Sequence, residues 1–212
     1  MWTDILLQAV LILVSVFMFL AMYDIPQKFL TKLRFRNRAD LQAKRHFVVG
    51  AQLLAQAKSS KTSPSSAASL AKQAEAEADK AISLDPKDAA SHILKALVLD
   101  LQGFKTSALD SLDVALSNPA VKSLTDGEKG DALFKRAEVK VAMSRRGRVD
   151  PAIEDLNEAV RLGCDGVRVF CLLGECYEAK KLGEEAKMAY EAALKAEPSS
   201  TAAQAALARL GS

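Results

Sequence analysis

The chain has 212 residues, a formal net charge of +3 and 50% hydrophobic residues. Much of this modest positive charge follows one apolar segment, which is not the pattern of a nucleic-acid-binding protein. Its three cysteines show no spacing typical of a zinc site. Alternating strand patterns are almost absent, so the sequence predicts an all-α fold.

The N-terminal region contains a long apolar run. Ile5–Met22 is interrupted only by Gln8 and Ser15, with Trp2 and Tyr23 at its two ends. This length and these aromatic flanks predict a single transmembrane helix within residues 1–25. A cleaved signal peptide is the alternative.

Charge around this run predicts its orientation. Asp4 precedes the run, whereas a basic cluster follows it, and basic flanks stay on the cytoplasmic side. We therefore expect a single-pass membrane protein with a cytosolic C-terminal domain. The endoplasmic reticulum is the favoured membrane, and the mitochondrial or plastid outer membrane is the alternative. The membrane-flanking basic residues are Lys28, Lys32, Arg34, Arg36 and Arg38.

Residues 26–40 form a basic juxtamembrane linker with two interpretations. The charges can serve only to orient the anchor, which is the favoured interpretation because the amphipathic stretch is short. Alternatively, Phe29, Leu30 and Leu33 form the apolar face of an interfacial helix on an anionic leaflet.

The remainder, residues 41–212, carries a repeated spacing of small residues followed by a helix stop. Such a period indicates stacked helical hairpins, because one hairpin cannot bury its own apolar face. The matching sets are Ala74, Ala78, Ala81 with Pro86; Ala108, Leu112, Ala115 with Pro119; Ala152, Leu156, Ala159 with Gly163; and Ala186, Tyr190, Ala193 with Pro198.

Each set is preceded by a segment with the spacing expected for the first helix of the hairpin. The fourth copy matches the repeat pattern best. Two copies carry insertions, at 59–66 and 144–151, which are expected in surface loops. Residues 200–210 predict a capping helix. The first-helix residues are His46, Val49, Gly50, Leu53; His92, Ala96, Leu99; Leu133, Ala137, Lys140; and Phe170, Leu173, Gly174, Tyr177.

The stretch Phe170–Pro198 resembles a tetratricopeptide repeat (TPR), a helix–turn–helix unit of about 34 residues. The resemblance implies an α-solenoid of about four such repeats with a C-terminal capping helix. It also implies a concave groove, lined by the first helix of each repeat, that binds partner proteins.

No catalytic, cofactor or metal site is expected. His46 and His92 occupy large-residue positions of the repeats, where packing explains them, and Glu175 and Glu178 fit a solvated helix face. Phosphate-binding loops and nucleophile elbows are missing from the sequence. Cys164, Cys171 and Cys176 are interpreted as small apolar residues at helix contacts. We therefore expect no enzyme and no cofactor.

One TPR subfamily grips the C-terminal carboxylate of heat-shock chaperones with lysine, asparagine and arginine side chains. Among the corresponding positions here, only Lys135 suits that role, and Asp131 would repel the carboxylate. Binding of chaperone tails is therefore not expected. The five positions are Phe47, Ala51, Leu94, Asp131 and Lys135.

The same register predicts an apolar groove, with Cys171 beyond it. Such a groove suits a partner's amphipathic helix or hydrophobic segment, although the chain's own linker or capping helix is an alternative occupant. The predicted groove residues are Phe47, Leu54, Ile93, Leu97, Phe134 and Val141.

The predicted function is that of a non-enzymatic, membrane-anchored adaptor or scaffold that presents its groove to the cytosol. Two alternatives remain open. One is an organelle protein-import or targeting receptor with an apolar groove, and the other is a structural subunit of a membrane complex.

Overall fold

The computed structural model describes residues 2–22, 25–59, 64–143 and 149–210. Side chains 3, 4, 11, 16–37 and 64 lie outside the described set. Within these ranges every regular element is a helix, which confirms the all-α prediction. The elements are α1 (Trp2–Met22), α2 (Ile25–Ser59), α3 (Pro64–Leu84), α4 (Ala89–Leu101), α5 (Lys105–Leu116), a 3₁₀ turn (Ala120–Ser123), α6 (Asp126–Ala142), α7 (Val149–Arg161), α8 (Val167–Ala179), α9 (Gly183–Ala196) and α10 (Thr201–Leu210).

The helices pair into four consecutive hairpins, α2/α3, α4/α5, α6/α7 and α8/α9, and α10 covers the last one. Each hairpin packs on the next, so the described part of the chain forms an α-solenoid. Because the connections reverse the chain at each step, α2, α4, α6 and α8 all run in the same direction.

Local sequence signals account for the helix ends. Thr125 and Glu128 form a reciprocal capping box at the start of α6, and the Asp88 side chain accepts a hydrogen bond from the Ser91 backbone N–H at the start of α4. Gly163 ends the turn after α7 with a φ of 88°, a conformation that favours glycine.

The repeated small residues lie where the two helices of a hairpin touch, as their spacing predicts. Alanine at these positions lets the helix backbones approach closely, and larger side chains fill the gaps on either side. All twelve members are buried: Ala74, Ala78, Ala81, Ala108, Leu112, Ala115, Ala152, Leu156, Ala159, Ala186, Tyr190 and Ala193.

One carboxylate is buried between α6 and α7. Asp155 is 5% exposed and accepts hydrogen bonds from Arg136 Nε and Nη2, at 2.9 and 2.6 Å, and from Lys140 Nζ at 2.7 Å. Arg136 also pairs with Asp113 of α5 at 2.9 Å. These charges therefore tie the second hairpin to the third.

The predicted membrane anchor requires correction. None of the helices in the described part of the chain has the length and apolarity needed to cross a membrane. This finding contradicts the single-pass anchor, the cytosolic orientation and the endoplasmic reticulum, mitochondrial or plastid location derived from it.

The segment predicted as a linker, residues 26–40, has a helical backbone. It belongs to α2, which continues without a break into the first repeat. Arg38 has an exposed side chain, whereas the side chains of the other four flanking basic residues lie outside the described set: Lys28, Lys32, Arg34 and Arg36.

Candidate functional site: an apolar groove

A cavity of about 770 Å³ lies on the face formed by α2, α4 and α6 and extends to the start of α8. Its walls are mainly apolar, with six charged side chains placed among them. These are Lys58, Glu128, Asp131, Lys135, Glu138 and Arg168.

Five of the six groove residues named from the sequence line this cavity. They are Phe47, Leu54, Ile93, Leu97 and Phe134. The sixth, Val141, is partly buried and packs against the core that α6, α7 and α8 share. Cys171 is also outside the cavity, and its thiol interacts with Ser200.

The five positions that correspond to the chaperone-tail clamp line the same cavity. Lys135 Nζ lies 2.8 Å from Asp100 and 3.2 Å from Glu138. Burial opposes the charge of this ammonium, but the two carboxylates raise the pKa of Lys135 above its usual value. The lysine is therefore fully charged and already engaged by two carboxylates of the chain itself.

Arg168, in the first turn of α8, contacts residues of α6 that line the cavity. Its guanidinium carbon lies 5.2 Å from the centroid of the Phe134 ring, and its Nη2 donates to Glu138 Oε1 at 2.5 Å. This cation–π contact covers part of the largest apolar side chain on α6. Arg168 is not among the groove residues named from the sequence. It nevertheless occupies the same position in the fourth repeat as Asp131 does in the third.

Three of the four polar groups considered as possible catalytic residues have structural partners, and the fourth is exposed. His46 Nδ1 lies 2.6 Å from Glu77 Oε2, and His92 Nε2 lies 3.0 Å from the Pro86 carbonyl oxygen. Glu178 accepts a hydrogen bond from Tyr190, and Glu175 is exposed. The described residues contain no group of three or more His, Cys, Asp or Glu side chains arranged to hold a metal ion.

The cysteines differ in burial. Cys176 is buried, whereas Cys164 and Cys171 are partly buried. Burial raises the pKa of Cys176 to about 11, and burial together with the Asp131 carboxylate raises the pKa of Cys164 to about 11. These thiols are therefore protonated at neutral pH and poorly suited to nucleophilic chemistry.

Among the described side chains, neither those of the capping helix nor residues 38–40 of the predicted linker line the cavity. Helix α10 packs on α9, where Ala206 joins Ala186 and Tyr190. The side chains of linker residues 26–37 lie outside the described set. Within the described ranges, the cavity is open to an external ligand.

Comparison with known proteins agrees with this architecture. Residues 167–200 match the family model of the tetratricopeptide repeat. The fold is that of a TPR solenoid. No curated protein matches the chain.

Several solved structures share the fold at low identity. PilF of Pseudomonas aeruginosa is 21% identical, with 81% of this chain and 68% of that chain covered and a TM-score of 0.63. YrrB, described as a TPR protein with an unusual peptide-binding site, is 21% identical over 66% of this chain and 67% of that chain, with a TM-score of 0.55. The first TPR of Spaghetti (RPAP3), bound to the HSP90 peptide SRMEEVD, is 23% identical over 60% of this chain and 93% of that chain, with a TM-score of 0.50.

Proposed function

We propose that this protein is a non-enzymatic adaptor or scaffold whose TPR groove binds an apolar segment of a partner protein. The main support is the apolar cavity on the first helices of the repeats, which has the size of a ligand-binding cleft. Two TPR proteins of similar fold are described with bound peptides or a peptide-binding site, which is consistent with this use of the groove.

The chemistry of the cavity favours an amphipathic helix or hydrophobic segment over an acidic tail. Apolar side chains such as Ile93 and Leu97 of α4 line the cavity, and they lose water when a partner binds. The one clamp-type lysine, Lys135, is already paired with Asp100 and Glu138. A chaperone-type carboxylate tail would have to displace these contacts and approach Asp131.

Site-specific photo-crosslinking tests the proposal. A photoreactive amino acid at Ile93 lies in the groove, whereas the same amino acid at Asp110, an exposed position on α5, lies on the second helix of that hairpin. We expect a discrete partner adduct from position 93 that is missing from position 110. Identical adducts from both positions, or none from position 93, would show that the groove is not the binding surface.

A second candidate function is that of a constitutive subunit of a larger complex. It is favoured by α1, whose described apolar side chains are exposed: Trp2 at 86%, Leu7 at 67% and Leu13 at 70%. Exposed apolar surface of this kind usually marks an interaction site. Gentle purification followed by sizing separates the two candidates, because a subunit elutes in a stable complex of fixed composition, whereas an adaptor loses its partner on dilution.

A further inference from the structure

Two carboxylates stand together at one end of the groove. Glu128 and Asp131 lie one turn apart on α6, are both exposed, and line the same cavity as Phe134. Glu128 accepts hydrogen bonds from the backbone N–H and the hydroxyl of Thr125, both at 2.8 Å, and these hold the pKa of Glu128 below its usual value. Asp131 Oδ1 accepts a hydrogen bond from Cys164 Sγ at 3.4 Å.

Within the described residues, neither carboxylate is paired with a cation. Lys129, their neighbour on α6, pairs with Glu158 of α7 at 3.4 Å. The nearer cations of the cavity, Lys135 and Arg168, are engaged by Asp100 and Glu138 instead. This end of the groove therefore keeps two uncompensated negative charges.

Among the described residues, the opposite end of the groove carries an unpaired positive charge. Lys58 lies in the last turn of α2 and also lines the cavity, and no ion pair is found for it in the part of the chain that the structure describes. Since α2 and α6 run in the same direction, Lys58 and Asp131 lie at opposite ends of their helices. Between these ends the cavity is lined by apolar side chains and by Lys135, Glu138 and Arg168, whose charges are paired within the chain. Within the described ranges, the unpaired charges of the groove are therefore negative at one end and positive at the other.

We infer that the occupant of the groove is an amphipathic helix of a partner protein with lysine or arginine at the end that meets Glu128 and Asp131. Its apolar face rests on Phe47, Ile93 and Leu97. This inference rests on the proposed groove function and adds the charge and the orientation of the bound segment. Charge complementarity selects this orientation because a basic residue against Lys58 would be repelled.

The test uses two fluorescent, alanine-based helical peptides of roughly 16 residues with the same leucine face. One carries two lysines at one end and the other carries two glutamines there. Fluorescence anisotropy measures their affinity for the full chain and for the Glu128→Gln/Asp131→Asn variant. A glutamine at position 128 can still form the capping box with Thr125, so the N-terminus of α6 is preserved. The Asp110→Asn/Glu154→Gln variant, altered at two exposed positions on α5 and α7, is the charge-matched control.

We expect the lysine-ended peptide to bind the native chain about fivefold more tightly than the glutamine-ended one, which corresponds to two exposed ion pairs. The preference should disappear in the groove variant and remain in the control. Equal binding of both peptides to the native chain would overturn the inference while leaving the groove function intact. If neither peptide binds, both proposals fail. Another outcome is that the purified chain forms a dimer that the Leu97→Asp/Phe134→Asp variant does not form. In that case a second copy of the chain is the occupant of the groove, and the inference is overturned.

Discussion

The ring of Tyr190 on α9 lies directly against the backbone of Gly174 on α8. A Cβ atom at position 174 would be only 2.6 Å from Cε1 and from Cζ of that ring. The tyrosine is 2% exposed, so its ring has little room to move away. This contact sets the distance between the two helices of the last repeat.

We expect Gly174→Ala to destabilise the protein by about 1–3 kcal/mol, because the added methyl group overpacks this contact. Urea unfolding followed by circular dichroism measures the change. Gly183→Ala is the matched control, since nothing lies within 4 Å of a Cβ at that position. Equal effects of the two substitutions would show that the close approach is not the cause.

The Tyr190 hydroxyl donates to Glu178 Oε1 at 2.6 Å, and Arg209 of the capping helix donates to the same oxygen at 2.7 Å. The bond from Tyr190, with help from Arg209, lowers the pKa of Glu178 below its usual value. A carboxylate with a lowered pKa in the folded state stabilises that state above its unfolded pKa, and the contribution is lost as pH falls through the folded value.

Tyr190→Phe should therefore cost about 1–2 kcal/mol at pH 7, and the cost should shrink below about pH 4. Unfolding free energies of the native and variant proteins at pH 7, 5 and 3 measure this trend. Tyr177→Phe is the control, because the hydroxyl of Tyr177 makes no hydrogen bond to the residues that the structure describes. A cost that is constant with pH would contradict the role of the Glu178 charge.

Asp155→Ala should destabilise the protein by about 3–5 kcal/mol, since it leaves the partly buried Arg136 and Lys140 without their shared carboxylate. The comparison is Asp110→Ala at an exposed position of α5, which we expect to change stability by less than about 0.5 kcal/mol. Urea midpoints of both variants measure the difference. Similar midpoints would mean that the buried network contributes no more than a surface charge.

The three thiols should react slowly in the folded protein. With the pKa of Cys164 and Cys176 raised to about 11, the reactive thiolate is scarce at neutral pH. We expect a disulfide reagent at pH 7.5 to modify the native chain at least ~10 times more slowly than free cysteine, and all three thiols to react rapidly in urea. A thiol that reacts at the free-cysteine rate in the native state would contradict the burial described above.

The fold was accessible from the sequence because its main signal is local. Small residues such as Ala108 and Ala115 recur at the spacing that brings two helices of a hairpin together, and each stop marks where one helix must end. The alignment of the repeats then locates the groove, since equivalent positions on the first helices of successive repeats face the same side of the solenoid. Phe47, Ile93 and Phe134 line one cavity for this reason.

The details of the groove were not accessible, because they depend on side chains far apart in the sequence. Arg168 stacks on Phe134, and Lys135 pairs with Asp100, across different repeats. Val141 occupies the repeat position of Leu54 but does not line the cavity, because its side chain packs into the core shared with α7 and α8. The predicted membrane span was wrong, because none of the helices among the described residues is long and apolar enough to cross a membrane.

The most direct test of the central claim compares two double substitutions of identical chemistry. Leu97→Asp/Phe134→Asp places two carboxylates in the groove, whereas Leu101→Asp/Phe104→Asp places them on exposed side chains outside it, at 43% and 58% exposure. Circular dichroism should show unchanged helical content in both variants. Quantitative mass spectrometry of co-purifying proteins should then show the partner lost from the groove variant and retained by the control. If the co-purifying proteins are the same for both variants and the native chain, the groove is not the binding surface.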